Sequence, residues 1–165
     1  MTRHESQRGF FTYELYRYMF HNDKIFLLMG DLGYKMFDAI RESFPDRTIN
    51  TGAAEQALLD IGIGLALQGK IPVCYSITPF LLYRPFEAIR TYINYEKIPV
   101  KLMGGGRGKD YSHDGMSHWS EDDKEFMDHF KNIKGYYPQT KEEINSNYVK
   151  ELLTNNKPVY INLSR

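Results

Sequence analysis

The chain has 165 residues, enough for one domain with a full core and too few for two ordinary ones. Its 21 Lys and Arg balance 21 Asp and Glu, which leaves no electrostatic footprint for nucleic acid or an anionic membrane surface. No apolar run approaches bilayer length, and Met1-Thr2-Arg3-His4-Glu5 is not a signal peptide, so a cytoplasmic protein with no nucleic-acid and no membrane partner is expected. Cys74 is the only cysteine, which excludes an intrachain disulfide and a cysteine metal cage; inside an apolar run it reads as a small buried hydrophobe.

Short β-branched runs alternate with longer stretches of helical period. That is the pattern of an α/β, three-layer α/β/α domain with a mainly parallel central sheet. In chain order the pattern predicts a helix over 10–20, a strand over 24–29, a helix over 34–43 and a short strand over 48–50. A helix over 55–68 follows, so apolar that it should be buried on most sides, and Gly69-Lys70 ends it before a strand over 71–76. The second half predicts a helix over 84–95, a strand over 100–103, a helix over 122–130, a weaker strand near 133–135, a helix over 141–154 and a strand over 159–163. No repeat, low-complexity tract or linker interrupts this order. The longest irregular stretch, 104–119, follows a strand, where open α/β sheets place ligand loops.

Three stretches carry candidate chemistry. Asn50-Thr51-Gly52-Ala53-Ala54-Glu55-Gln56 sets one carboxylate among small residues at a helix start. By itself Glu55 is an acid favoured by the helix dipole. Thr78-Pro79-Phe80-Leu81-Leu82-Tyr83-Arg84-Pro85-Phe86 spaces three aromatic rings three residues apart, which also fits a stripe that packs a helix onto the core. Asp114-Gly115-Met116-Ser117-His118 lies in the irregular loop, with His113 beside it and Glu121-Asp122 after it. These acids and histidines lack the helix-spaced His pair or Cys of a zinc site. Gly104-Gly105-Gly106-Arg107-Gly108 lacks the Lys and Ser/Thr of a phosphate-cradling loop and the spacing of the dinucleotide fingerprint; close backbone approach is its expected job.

Taken in order, the three stretches resemble the pyrimidine-binding (Pyr) domain of thiamine-diphosphate enzymes of the transketolase and deoxyxylulose-phosphate synthase group. The resemblance spans nearly the whole chain and implies roles for particular residues. Glu55 is the carboxyl that shares a proton with N1′ of the aminopyrimidine, expected in an apolar pocket, so that the cofactor's own amino group can take the thiazolium C2 proton. Phe80 is the ring that stacks on the aminopyrimidine. Tyr83 and Phe86 are its neighbours in the cofactor pocket wall, although core packing is the favoured reading for Phe86. Asp114 and His118 match the Asp-Gly-Pro-Thr-His stretch of transketolases, in which the Asp contacts a donor hydroxyl and the His carries or donates a proton over the reacting carbon. Met116 replaces the Pro, and Gln56 and Ala57 stand where relatives often carry His. Arg8 and Arg165 resemble arginines that reach a sugar phosphate, with Lys35 and Arg107 nearby in the alignment.

The same resemblance defines what else the chemistry needs. The cofactors implied are thiamine diphosphate and Mg²⁺, yet Gly30-Asp31-Leu32-Gly33 is not the Gly-Asp-Gly…Asn set that binds metal and diphosphate. The diphosphate-binding domain and the transketolase C-terminal domain are therefore expected to be absent from the chain. The implied partner is a separate diphosphate-binding subunit, with Pyr subunits pairing as a homodimer within a heterotetramer. The thirteen Tyr and ten Phe suit a buried partner surface of that kind. The expected activity is transfer of a two-carbon ketol or acyl unit between small keto sugars or keto acids and an aldehyde. A split 2-keto-acid decarboxylase and a catalytically silent Pyr-like assembly subunit are the alternatives.

Overall fold

The computed structural model describes all 165 residues, Met1–Arg165. Its strands are β1 (Ile25–Met29), β2 (Thr48–Asn50), β3 (Ile71–Ile77), β4 (Lys101–Gly105), β5 (Lys134–Tyr136) and β6 (Val159–Leu163). They form one six-stranded sheet in the order β2-β1-β3-β4-β6-β5. Every neighbouring pair runs parallel. The helices are α1 (Gln7–His21), α2 (Asp38–Ser43), α3 (Glu55–Leu67), α4 (Thr78–Tyr83), α5 (Phe86–Ala88), α6 (Asp123–Asp128) and α7 (Ser146–Thr154).

The side-chain alternation of the strands divides the core into two. Leu27, Val73, Met103 and Ile161 point to one face and pack with Phe11, Leu15 and Met19 of α1 and Leu152 of α7. Their sequence neighbours Leu28, Cys74, Leu102 and Tyr160 point to the other face and meet Leu58, Leu59 and Ile63 of α3 together with Ile89 and Ile93. Both faces are covered, which is why the central strands read as unbroken apolar runs rather than alternating ones. Gly62 makes the second layer possible, because a Cβ there would stand 2.7 Å from Cys74 Sγ.

The expected elements are all present, with boundaries shifted for local reasons. Helix α1 starts early because the Ser6 side chain accepts from Gly9 N, an N-cap the apolar pattern does not show. The stretch expected to begin a helix at 34 is instead a turn with Gly33 and Lys35 at positive φ, and α2 starts at Asp38. The helix expected over 84–95 begins at Phe86, and α4, which the sequence pattern did not predict, precedes it. Pro79 sits in the first turn of α4, where a missing N–H costs nothing, and Pro85 breaks the helix before α5 continues into a π-helical stretch, Ile89–Tyr95. Helix α7 starts at Ser146 rather than 141, since Asn145 caps it by accepting from Tyr148 N. Two short 3₁₀ turns, Ser112–Asp114 and Met116–His118, organise the irregular loop after β4. No helix is long and apolar enough to cross a membrane.

Candidate active site

The C-terminal ends of β1 and β3 meet the start of α3, and that of β4 meets the start of α4, the region where open parallel sheets present ligands. Glu55, the first residue of α3, is 2% exposed. The Ser76 hydroxyl donates to Glu55 Oε1 at 3.0 Å, and the Arg84 guanidinium donates to Oε2 at 2.7 Å. Gly30, just past β1, completes the wall: a Cβ there would lie 3.3 Å from Oε1. The loop that delivers Glu55 is pinned by Asn50, whose Oδ1 accepts from Gly52 N and Asp31 N. The surroundings of this carboxylate are thus polar where an apolar pocket was expected. The reason is energetic: an ionised group this deeply buried is tolerated only with a charged or hydrogen-bonding partner.

Arg84 also reaches Phe80. Its guanidinium carbon lies 3.8 Å above the ring centroid, a reach set by the four-residue spacing at the end of α4. The His118 ring meets the same phenyl edge to face, with centroids 4.8 Å apart. His118 Nδ1 is 3.0 Å from Ser117 Oγ. Glu55, Ser76, Arg84, Phe80 and His118 therefore form one contiguous group built from α3, β3, α4 and the loop after β4. Asp114 is on the same loop, its Oδ2 3.2 Å from His113 Nε2.

Arg8 and Arg165 come together at a second place. They line a cavity of about 260 Å³ with His4, Ser6, Tyr34 and Tyr111. Arg8 donates to Tyr111 Oη at 2.9 Å and to Tyr75 Oη at 3.3 Å, while its buried Nε has no partner. The Arg165 guanidinium lies 5.3 Å from the Tyr111 ring centroid, and its backbone N–H donates to Asp110. Arg107 does not join them. Its Nε and one terminal nitrogen donate to Asn162 and the other to the Pro138 carbonyl, so its donors are engaged in holding β6 and the loop after β5.

Tyr83 and Phe86 face another element. The Tyr83 hydroxyl donates to Asp122 at 2.7 Å and its ring packs edge-on against Phe126. Phe86 lies against Phe126 and Phe130, so the structure gathers both rings at α6 and not in the group around Phe80.

The family model of the transketolase pyrimidine-binding domain matches residues 6–165. The chain belongs to that family. Among solved structures it resembles a split-gene transketolase described as an inactive beta4 tetramer, with a TM-score of 0.85 and 30% identity, covering 98% of this chain and 52% of that one. One subunit of an apulose-4-phosphate transketolase from Actinobacillus succinogenes is 37% identical over 128 residues, 74% of this chain and 39% of the relative. A 6-deoxy-6-sulfo-D-fructose transketolase subunit from a Clostridium species is 28% identical over 152 residues, 92% of this chain and 47% of the relative. This pyrimidine-binding domain thus spans about half the length, or less, of the relatives it matches.

Within the domain, a buried polar network that the sequence reading missed ties the loop to the sheet. Tyr160 Oη and Asn162 Nδ2 both donate to Asp123 Oδ2, at 2.7 and 2.8 Å. Thr78 and Ser120 hydroxyls both donate to the Gly106 carbonyl, at 2.8 and 3.0 Å, and Asn162 reaches Thr78 as well. Desolvation pushes the Asp123 carboxyl above its ordinary value, partly opposed by the Tyr160 hydrogen bond. The network fixes both ends of the loop that bears Asp114 and His118. Arg84 was also missed; the i, i+4 relation to Phe80 signals it only once the helix is known to begin at Thr78.

Proposed function

We propose that this domain supplies the aminopyrimidine half of the thiamine-diphosphate site of a split transketolase-like enzyme, transferring a two-carbon ketol or acyl unit from a keto sugar or keto acid to an aldehyde. The observation that carries the reading is the buried Glu55 carboxylate at the first turn of α3, beside the flat face of Phe80. A carboxyl and an aromatic face joined through one planar cation offer the two contacts an aminopyrimidine ring needs. When bound, the cofactor supplies a thiazolium carbon that adds to a carbonyl and holds the electron pair released on C–C cleavage.

The chain's own residues do the rest. Glu55 holds the proton shared with the ring nitrogen, and Ser76 fixes one of its oxygens. Phe80 sets the ring plane. His118, held against Phe80, donates or accepts a proton at the substrate oxygen, a task suited to imidazole near neutral pH. Asp114 is assigned to a donor hydroxyl, and Arg8 and Arg165 to the distal, anionic end of the substrate. The substrates named for the apulose-4-phosphate and 6-deoxy-6-sulfo-D-fructose relatives each carry such an anionic group, which supports this assignment.

No group of three or more His, Cys, Asp or Glu side chains in this domain is arranged to hold a metal ion. We assign Mg²⁺ and the diphosphate to a separate subunit with a Gly-Asp-Gly…Asn motif, and two pyrimidine-binding subunits to a heterotetramer with two such partners. The split-gene neighbour and the names of the relatives, themselves transketolase subunits, support this division. The test is reconstitution with the co-purifying partner, thiamine diphosphate and Mg²⁺, followed by assay with a hydroxylated 2-keto donor and an aldehyde. Formation of a ketol-extended product is expected. Release of CO₂ from simple 2-keto acids without transfer would replace this reading with the decarboxylase one.

A further inference from the structure

We infer that Arg84 is an internal stand-in for the aminopyrimidine ring, occupying the ring's seat while the cofactor is away and leaving it on binding. The inference rests on the thiamine-diphosphate reading of Glu55 and Phe80. A bound aminopyrimidine must do two things: lie flat on Phe80 and place a polar edge against Glu55. The Arg84 guanidinium, itself planar and rimmed with donors, does both, at 3.8 Å from the Phe80 centroid and 2.7 Å from Glu55 Oε2.

The two occupants compete for the same atoms. Glu55 is 2% exposed, and its oxygens have two side-chain partners. Ser76 is fully buried in β3 and cannot withdraw. Arg84 has a side chain 47% exposed at the end of α4 and can swing into solvent on its flexible stem without moving the helix. It is therefore the removable partner. Its presence satisfies a buried carboxylate that would otherwise be unpaired, and keeps the Phe80 face covered, until the ring arrives. Arg84 is thus a positioning residue that sets cofactor affinity.

The experiment uses the chain reconstituted with its diphosphate-binding partner and compares wild type with Arg84→Met, which keeps the stem and loses the charged plane. Calorimetric titration with thiamine diphosphate and Mg²⁺ should show binding roughly three- to tenfold tighter in the variant, the range set by a half-exposed ion pair plus a cation–π contact. In the wild-type complex the Arg84 Hε resonance, shifted by the Phe80 ring current, should move toward the solvent-exposed position as cofactor saturates. Equal or weaker binding by Arg84→Met, or an Hε signal that does not move, would overturn the inference while leaving the cofactor site intact. The wild-type signal decides even if the variant folds poorly. Absence of cofactor binding by both proteins would overturn the thiamine reading itself, and this inference with it.

Discussion

His118 and Phe80 touch edge to face across the mouth of the sheet, with ring centroids 4.8 Å apart. This contact joins the loop after β4 to the helix after β3, so a residue assigned to substrate rests on one assigned to cofactor. The contact is worth roughly 0.5–1.5 kcal/mol beyond area burial, and Phe80 keeps its place in α4 without it. His118→Ala should therefore lower turnover of hydroxylated donors by roughly 10²–10⁴-fold if the imidazole moves a proton, and change cofactor affinity far less. Steady-state kinetics alongside cofactor titration would separate the two. A variant that loses affinity but keeps turnover at saturation would show that His118 only props the ring.

On the proposed division of the site between two subunits, the 165-residue chain alone should bind thiamine diphosphate weakly. Calorimetry of the isolated chain with cofactor and Mg²⁺ checks this. Submicromolar affinity without a partner would sink the shared-site arrangement.

Light scattering of the chain mixed with its diphosphate-binding partner should find a symmetric hetero-oligomer, as closed two-fold assemblies are the commonest solution for such shared sites. Mixtures in which the two proteins stay apart, with cofactor present and across a wide concentration range, would contradict the proposed assembly.

Asp123 gives a pH prediction. Its folded-state value is raised from 3.8, chiefly by desolvation. A raised carboxyl stabilises the fold most below the unfolded value, and that contribution is lost as pH rises through the folded one. Asp123→Asn keeps an acceptor for Tyr160 and Asn162 and carries no charge. The melting temperature of the variant relative to wild type should therefore climb as pH rises above the ordinary carboxyl value of about 4. A difference that stays constant as pH rises would mean that Asp123 titrates as it does in the unfolded chain.

Much of this fold was legible because buried parallel strands write themselves as apolar runs. Ile71–Ile77 and Val159–Leu163 could be read almost to the residue for that reason. Boundaries decided by a single polar side chain were harder to read, as at Ser6 and Asn145, where one cap overrides the apolar period. Helix α4 was not read at all, because six residues between Pro79 and Pro85 are too few for a helical period to show. In the site, Glu55, Phe80 and His118 were found by motif and do converge. Their partners Ser76 and Arg84, and the Asp123–Tyr160–Asn162 network, depend on pairings between distant segments that no local pattern encodes.

Glu55→Gln is the most direct test of the chemistry. Gln is nearly isosteric, so the start of α3 and the packing against Gly30 and Ser76 should survive. The change leaves Arg84 without its counter-ion, but that side chain is half exposed, and ion pairs open to water are worth about 0–1 kcal/mol. Removing a buried carboxylate offsets part of this loss, so stability should shift by no more than about 1 kcal/mol. The amide cannot share an acidic proton with the ring nitrogen. Exchange of the cofactor's C2 proton for deuterium in the reconstituted complex should slow by roughly 10²–10⁴-fold, the usual worth of a positioned proton donor. Exchange at the wild-type rate would reduce Glu55 to an acid at a helix start, paired with Arg84 for stability alone. The domain would then serve assembly rather than form half of a catalytic site.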